Sequence, residues 1–394
     1  YIILFIILFI ILFTSFGLFV VTPDSGAYVY MSQEYSEGNL FIVENLYFAP
    51  MYSLFMLSMN KIFNLSYLTE VNFFILISTL AFIIFNESKN LKNKKIFLIL
   101  SGIIIVYFFS NYYIIINSFY VSPGIVYASL ILLNTYILIY EDLNKKIYQI
   151  TFYITTVSLI FLRLEGFVFS YFFLLVYISK YFKKNHTFYT FNKNNYLIYF
   201  ASINIIYYLC MLGELLYFKE GFFNEKIIFL VIASNIFIVF LPGILLKLSK
   251  KIDLHINNHL LTNLILSFLF IMNLVTILIF PETIVNIQII FKNLIYTSFW
   301  GAWWITTLIL IIVVFYLILK NIKTYLVNIE VIKFFCIFFN FVLFLGNIRQ
   351  NNFRLDLTDP LFYQWGDSGN RIILYISFLL FLIIVNITKK IIKK

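Results

Sequence analysis

The chain has 394 residues, of which 62% are apolar and 12% charged, with 13 glycines and 2 cysteines. An ordinary soluble domain sits near half apolar and a quarter charged, so these figures exclude a soluble globule with a charged shell, and equally a disordered, collagenous or disulfide-stapled chain. The formal charge of +10 has to be mapped before it means anything, because 24 of the 28 cations are lysine.

A spanning helix needs roughly 17 to 25 mostly apolar residues, and cytoplasmic loops collect lysine and arginine. Read with both rules, the chain is an all-α membrane protein of about twelve spans, at 1–21, 66–86, 96–113, 121–140, 147–162, 165–181, 196–213, 227–246, 260–280, 303–319, 333–347 and 371–388. The first begins at Tyr1 and shows no small-residue cleavage site, so it reads as a membrane helix rather than a signal peptide. The loops 87–95, 141–146, 180–195, 247–259 and 320–333, with the C-terminal tail, hold 20 of the 24 lysines. The inner side then carries +15 and the outer side −5. The basic balance is a topology signal, and no nucleic-acid partner is implied.

Two places depart from simple alternation. Residues 49–63 are too short to span and end in Asn60 and Lys61, which predicts an interfacial helix on the outer surface. The first outer loop, 22–65, then contains two surface helices, the other being 25–37. The second departure is 147–181, bounded by lysines at both ends, which must be a helical hairpin. Its outer turn carries Arg163, Leu164, Glu165 and Gly166. The last outer loop is placed at 348–370, and no separate soluble domain is expected.

Arginine is the informative rarity. The four, at 163, 349, 354 and 371, all fall on the outer side. Guanidinium offers a planar fork of donors that matches phosphate or carboxylate oxygens. Arg163 and Glu165 lie in an apolar hairpin, where ions either pair to pin a turn or serve function. Arg371 opens the last span just after Gly366-Asp367-Ser368-Gly369-Asn370. Among the acids, Asp24 follows Pro23 directly after the first span. It is expected to cap the helix 25–37 and to hold a carboxylate at the membrane surface, where it can accept a proton from a hydroxyl. Tyr28, one turn on, lines the same side.

Trp300, Trp303 and Trp304 read as an interfacial belt, whereas Trp365, between Arg354 and Arg371, is the candidate for sugar stacking. The wider aromatic excess reads as codon bias, since Phe, Tyr, Ile, Asn, Lys and Leu all run high together. Cys210 and Cys336 lie in apolar runs, and His255 and His259 stand in a lysine-rich stretch with no acid between them. Neither pair indicates a metal site, no nucleotide-binding loop is present, and no cofactor is expected.

Taken together, Pro23-Asp24-Ser25-x-x-Tyr28 with Ser32 and Gly38, then Pro50-x-Tyr52-x-Leu54, the Arg163-Leu164-Glu165-Gly166 turn and the loop ending in Arg371 form an ordered set. That set resembles the GT-C membrane glycosyltransferases, in the broad group around protein O-mannosyltransferases and lipid A aminoarabinose transferases. The sequence departs from the family at Ser25, where Glu is frequent, and at Leu164, where Pro is usual. Ser122-Pro123-Gly124 also lacks the acid often found near the fourth helix, and no divalent metal is indicated. The resemblance implies transfer of a sugar from a polyprenyl-phosphate donor to a lipid, glycan or protein acceptor at the outer face of the cell membrane, with inversion. It implies Asp24 as general base, and Arg371, Arg163 and Arg354 as ligands of the donor phosphate. Tyr28 and Glu165 would be supporting residues. Two other readings stand beside it. A transporter or flippase of lipid-linked glycans would need ionisable groups near mid-bilayer, and a membrane glycan polymerase would also use outer-loop arginines.

Overall fold

The computed structural model describes residues 23–39, 50–62, 68–89, 91–111, 114, 117, 121–142, 145–163, 166, 169–174, 176–177, 258–279, 333–340 and 361–393. Among the described residues the regular structure is helical throughout, as the all-α reading expects. The helices are α1 (Pro23–Ser36), α2 (Pro50–Ile62), α3 (Leu68–Ser88), α4 (Lys94–Phe109), α5 (Gly124–Tyr140), α6 (Lys146–Leu162), α7 (Asn258–Ile279) and α8 (Leu361–Lys393). Helical residues also occur at 166, 169–174, 176–177 and 333–340. The spans expected at 1–21, 196–213, 227–246 and 303–319 lie outside the described residues.

α5 is the hub. Its sequence is apolar on all sides, and such a helix is stable only when surrounded; α3, α6 and α8 pack around it. α8 also packs on α4 and α3. Rings interlock the layers: Phe108 of α4 lies 5.6 Å from Phe381 of α8, and Phe73 of α3 lies 5.3 Å from Phe109 of α4. Such ring pairs add roughly 0.5–1.5 kcal/mol each beyond their burial.

α6 and the return arm 166–177 form the expected hairpin, in one antiparallel register. Gln149 Nε2 donates to Tyr177 Oη at 3.2 Å, and Phe152 stacks on Tyr177 with centroids 5.5 Å apart. Ser170 Oγ donates to the Thr156 carbonyl at 2.7 Å. Nearest the turn, Gly166 lies so close to α6 that a Cβ would overlap the Leu159 carbonyl. Gly166 and Ser170 stand four apart, the small-residue spacing that lets two helix backbones approach. The far face of the return arm packs on 333–340 through Phe169, Phe172 and Phe173 against Phe334 and Phe338.

One end of the bundle is tied by polar side chains. Lys389 Nζ donates to Glu87 Oε2 at 2.7 Å, Tyr136 Oη donates to Glu87 Oε1 at 3.0 Å, and Asn86 Nδ2 donates to Glu141 at 3.3 Å. Asn386 Nδ2 also donates to Tyr140 Oη. The C-termini of α3, α5 and α8 and the N-termini of α4 and α6 meet here, with the lysines that flank them. This is the lysine-rich end.

Outward, α4 presents Ile96, Ile99, Ile103 and Val106, each more than half exposed, along one stripe. Its opposite face buries Phe97, Ser101, Ile105 and Phe108. A soluble amphipathic helix would carry charge where these isoleucines stand. Among the described residues, one helix, α3, has an 18-residue window, Val71–Ser88, long and apolar enough to cross a bilayer; α5 and α6 are apolar but shorter.

Two local expectations change. Asp24 is the second residue of α1 rather than its cap, because the helix begins at Pro23. Proline suits the first helical position, where its missing N–H has no partner to lose and its φ is already helical. An acid in the first turn still meets the positive end of the helix dipole. At the C-terminus, 361–370 is helical rather than the end of a loop. The apolar run from Ile372 to Val385 nucleates a helix, and extension backwards through Gly366 and Gly369 costs only about 1 kcal/mol per glycine.

Candidate functional site

The end opposite the lysines gathers the candidate site. α1 and α2 pack on each other, and α2 packs on α6. α1 stops in a two-bond C-terminal motif: Gly38 N–H donates to the Tyr35 carbonyl at 3.3 Å and Asn39 N–H to the Glu34 carbonyl at 3.0 Å. Gly38 takes a φ of 91°, which only glycine adopts without strain. The glycine of the sequence pattern is therefore the residue that turns the chain off α1.

Tyr28 is buried and meets Tyr52 edge-on, centroids 5.2 Å apart. Tyr52 Oη accepts from Asn72 Nδ2 at 2.8 Å, and the same amide reaches the Ser122 carbonyl at 3.4 Å. One asparagine thus ties α2, the start of α3 and the entry to α5. Burial pushes the Tyr52 hydroxyl above its ordinary range, while its hydrogen bonds with Asn72 and the Ser122 backbone pull the other way. Tyr52 is therefore a neutral hydroxyl across physiological pH.

Two residues after Ser122, Gly124 opens α5 against Tyr375: a Cβ there would sit 3.7 Å from the Tyr375 ring. Tyr375 also meets Tyr127 edge-on at 4.8 Å, and Tyr127 meets Phe169 at 5.8 Å. Over the Tyr375 ring lies the Arg163 guanidinium, 5.4 Å from the centroid. Arg163 closes α6: its N–H donates to the Leu159 carbonyl, its backbone turns extended, and its own carbonyl accepts from Gly166 N–H at 2.9 Å. A half-buried cation is thereby held at the mouth of the hairpin, above an aromatic face.

The contacts run Tyr28–Tyr52–Asn72–Ser122 on one side and Gly124–Tyr375–Arg163 on the other, joined through Pro123. Of the residues singled out from sequence, Tyr28 and Arg163 are thus placed at one end of the bundle. Asp24 belongs to the first turn of α1, one turn before Tyr28. Arg371 belongs to α8, one turn before Tyr375 and so on the same stripe of that helix. Trp365 also lies in α8. The side chains of Asp24, Arg371 and Trp365 lie outside the described residues, as do Glu165 and Arg354 altogether. Among the described residues no three His, Cys, Asp or Glu side chains gather as a metal group.

Sequence reasoning did not single out Asn72, Tyr375 or Tyr127. Asn72 carried a signal, a lone amide near the start of an otherwise apolar span. Tyr375 could have been found as the aromatic one turn after Arg371. Tyr127 had no mark among so many rings.

Compared with protein-family models, curated proteins and solved structures, the chain matches none.

Proposed function

We propose that this chain is a multi-pass glycosyltransferase of the GT-C type in the cell membrane, with about twelve spans and its site on the outer face. It moves a sugar from a polyprenyl-phosphate donor to an acceptor hydroxyl. The observation that carries the reading is the seat of Arg163 over Tyr375, one turn from Arg371. Two arginines remote in sequence are drawn to one end of the bundle, beside the surface helices that carry Asp24. The apolar stripe of α4 supports the membrane setting, since large exposed isoleucines are stable against acyl chains and not against water. The lysines at the other end support the sidedness.

In this scheme the donor lipid enters from the bilayer and its phosphate oxygens meet Arg163 and Arg371, with Arg354 as a third ligand. Trp365 offers a face to the sugar. Asp24 takes the proton of the acceptor hydroxyl as that oxygen bonds to the anomeric carbon. The bond from that carbon to the phosphate oxygen breaks, and its electron pair leaves with the polyprenyl phosphate. The arginines stabilise the charge that develops there. The transition state is oxocarbenium-like, and attack from the opposite face inverts the centre.

The test is incubation of the purified protein with a panel of polyprenyl-phosphate sugars, scoring released lipid phosphate. A positioned base supplies ~10²–10⁴ in rate, so Asp24→Asn should lose that factor while its unfolding temperature stays put. Full activity in the variant would remove Asp24 from the reaction. No release from any donor would count against the transferase.

A further inference from the structure

We propose that the turn joining α3 to α4 binds an anionic phospholipid, its phosphate among Lys92, Lys94 and Lys95 and an acyl chain along Ile99, Ile103 and Val106. The inference rests on the membrane setting proposed above and not on the transferase chemistry. Three observations carry it. Residues 88–95 hold four lysines, at 89, 92, 94 and 95, and no acid. The turn is pinned: Leu91 is buried and its N–H donates to the Ser88 carbonyl at 3.2 Å, while Phe97 N–H donates to the Asn93 carbonyl at 3.2 Å. Lys92, Lys94 and Lys95 are presented outward from it, all three exposed. The apolar stripe of α4 begins where they end. Lys95 stands one turn before Ile99, with Ile103 and Val106 one and two turns further on, so its ammonium heads the stripe. α3 repeats the arrangement, with Phe74, Phe82 and Phe85 exposed and Lys89 Nζ 5.1 Å from the Phe85 centroid.

The chemistry selects the occupant. From Lys95 to Val106 the stripe is about 16 Å long at ~1.5 Å per residue, close to one leaflet's share of a ~30 Å hydrocarbon core. It fits one acyl chain with the headgroup at the lysines. A zwitterionic headgroup brings no net charge to these cations, whereas an anionic one does. Glu87 and Glu141 at this end are already engaged, the first by Lys389 and Tyr136 and the second by Asn86. No side chain caps the first turn of α4, so the positive end of its dipole adds to the lysines.

The experiment places a photoreactive amino acid at Ile99 of the full chain, in nanodiscs of phosphatidylglycerol and phosphatidylcholine mixed in equal amounts with the same acyl chains. Mass spectrometry reads the ratio of the two lipid adducts. The wild type should be enriched in phosphatidylglycerol. Lys92→Gln or Lys95→Gln alone should cut the enrichment about fivefold, the worth of one lysine at an anionic surface, and the double variant should approach the mixing ratio. Lys145→Gln with Lys146→Gln removes the same charge from the start of α6 and should leave most of the enrichment. Equal loss in that control would show a diffuse surface charge and overturn the site. So would a wild type at the mixing ratio, displacement of the lipid by water-soluble glycerol phosphate, or adducts to a second copy of the chain in place of lipid. Adducts to water with neither lipid would defeat the membrane setting itself, and the proposal with it.

Discussion

Lys389 places its ammonium nitrogen 2.7 Å from Glu87 Oε2, so residues 302 positions apart close the same end of the bundle. Glu87 is nearly inaccessible, and its second oxygen accepts from Tyr136. On α8, positions 371, 375, 386 and 389 fall within one narrow stripe at about 100° per residue. The clamp at Lys389 and the bond from Asn386 to Tyr140 thus set the rotation of the helix that carries Tyr375 to Arg163 at the other end.

Lys389→Met leaves the Glu87 carboxylate buried without its cation. Breaking a buried pair from one side costs about 3–5 kcal/mol. A quarter of the Lys389 side chain is exposed, so about 1–3 kcal/mol is expected here. Adding Glu87→Gln should recover most of the loss, because the neutral amide no longer needs a counter-ion. Thermal unfolding of the two singles and the double decides this; additive losses would show that the pair is not the source.

Gly166→Ala drives a methyl into the Leu159 carbonyl, and the backbone there has no far end of a flexible side chain to yield. Overpacking of this kind costs typically 1–3 kcal/mol, occasionally more. The hairpin arms should separate and shift Arg163 with them. Both the unfolding temperature and preference for a phosphate lipid should therefore fall. Loss of stability with unchanged phosphate preference would uncouple the turn from the site.

Tyr52→Phe should cost about 1 kcal/mol near neutral pH, the worth of an ordinary hydrogen bond, and leave Asn72 Nδ2 with the longer bond to Ser122. The Tyr52 hydroxyl is raised by burial above its usual 10.0. Above that pH the unfolded chain releases the Tyr52 proton while the folded chain keeps it. The unfolded state then binds fewer protons, and the stability that Tyr52 confers declines as pH rises. Phenylalanine has no such dependence, so the gap between wild type and variant should narrow above pH 10 in alkaline unfolding. A constant gap would contradict the buried setting of the hydroxyl.

Arg371→Ala should weaken use of the donor far more than use of the acceptor, and Arg371→Lys should recover only part of it, because an ammonium cannot fork onto two oxygens. Steady-state measurements varying each substrate in turn separate the two. An unchanged donor dependence would remove Arg371 from the phosphate site.

A photoreactive amino acid placed at Ile99 or Ile103 should crosslink to lipid in native membranes, whereas one at Ser101, on the buried face of α4, should crosslink within the chain. Ile103→Lys should impair insertion, at a cost of about 2.5–3.5 kcal/mol near mid-bilayer on insertion scales. Water-dominated labelling at Ile103 would argue against a lipid-facing stripe.

Much of the helical order was legible in the residues alone. Apolar length predicts 66–86 and 147–162 where the structure has Leu68–Ser88 and Lys146–Leu162. Paired lysine clusters predict the hairpin and its turn, and Pro23 and Pro50 sit where α1 and α2 begin. The start of α8 was not legible, because Gly366, Asp367, Ser368 and Gly369 carry loop propensities that a long apolar helix overrides. The Tyr375 seat was hidden for a different reason. It joins α5, α6 and α8 through contacts far apart in sequence, and in a chain so rich in rings no single tyrosine stands out.

By itself, then, the sequence determined that this chain is helical and apolar, where its charges divide, and which arginines and aspartate are unusual. Those properties follow from composition and local periodicity, which need no partner. Only the tertiary structure decided that Arg163 rests on Tyr375, that Asn72 ties Tyr52 to the entry of α5, and that Glu87 holds the far end of α8. Each of these depends on the rotation and register of one helix against another, which side-chain packing selects among many arrangements that share the same apolar pattern.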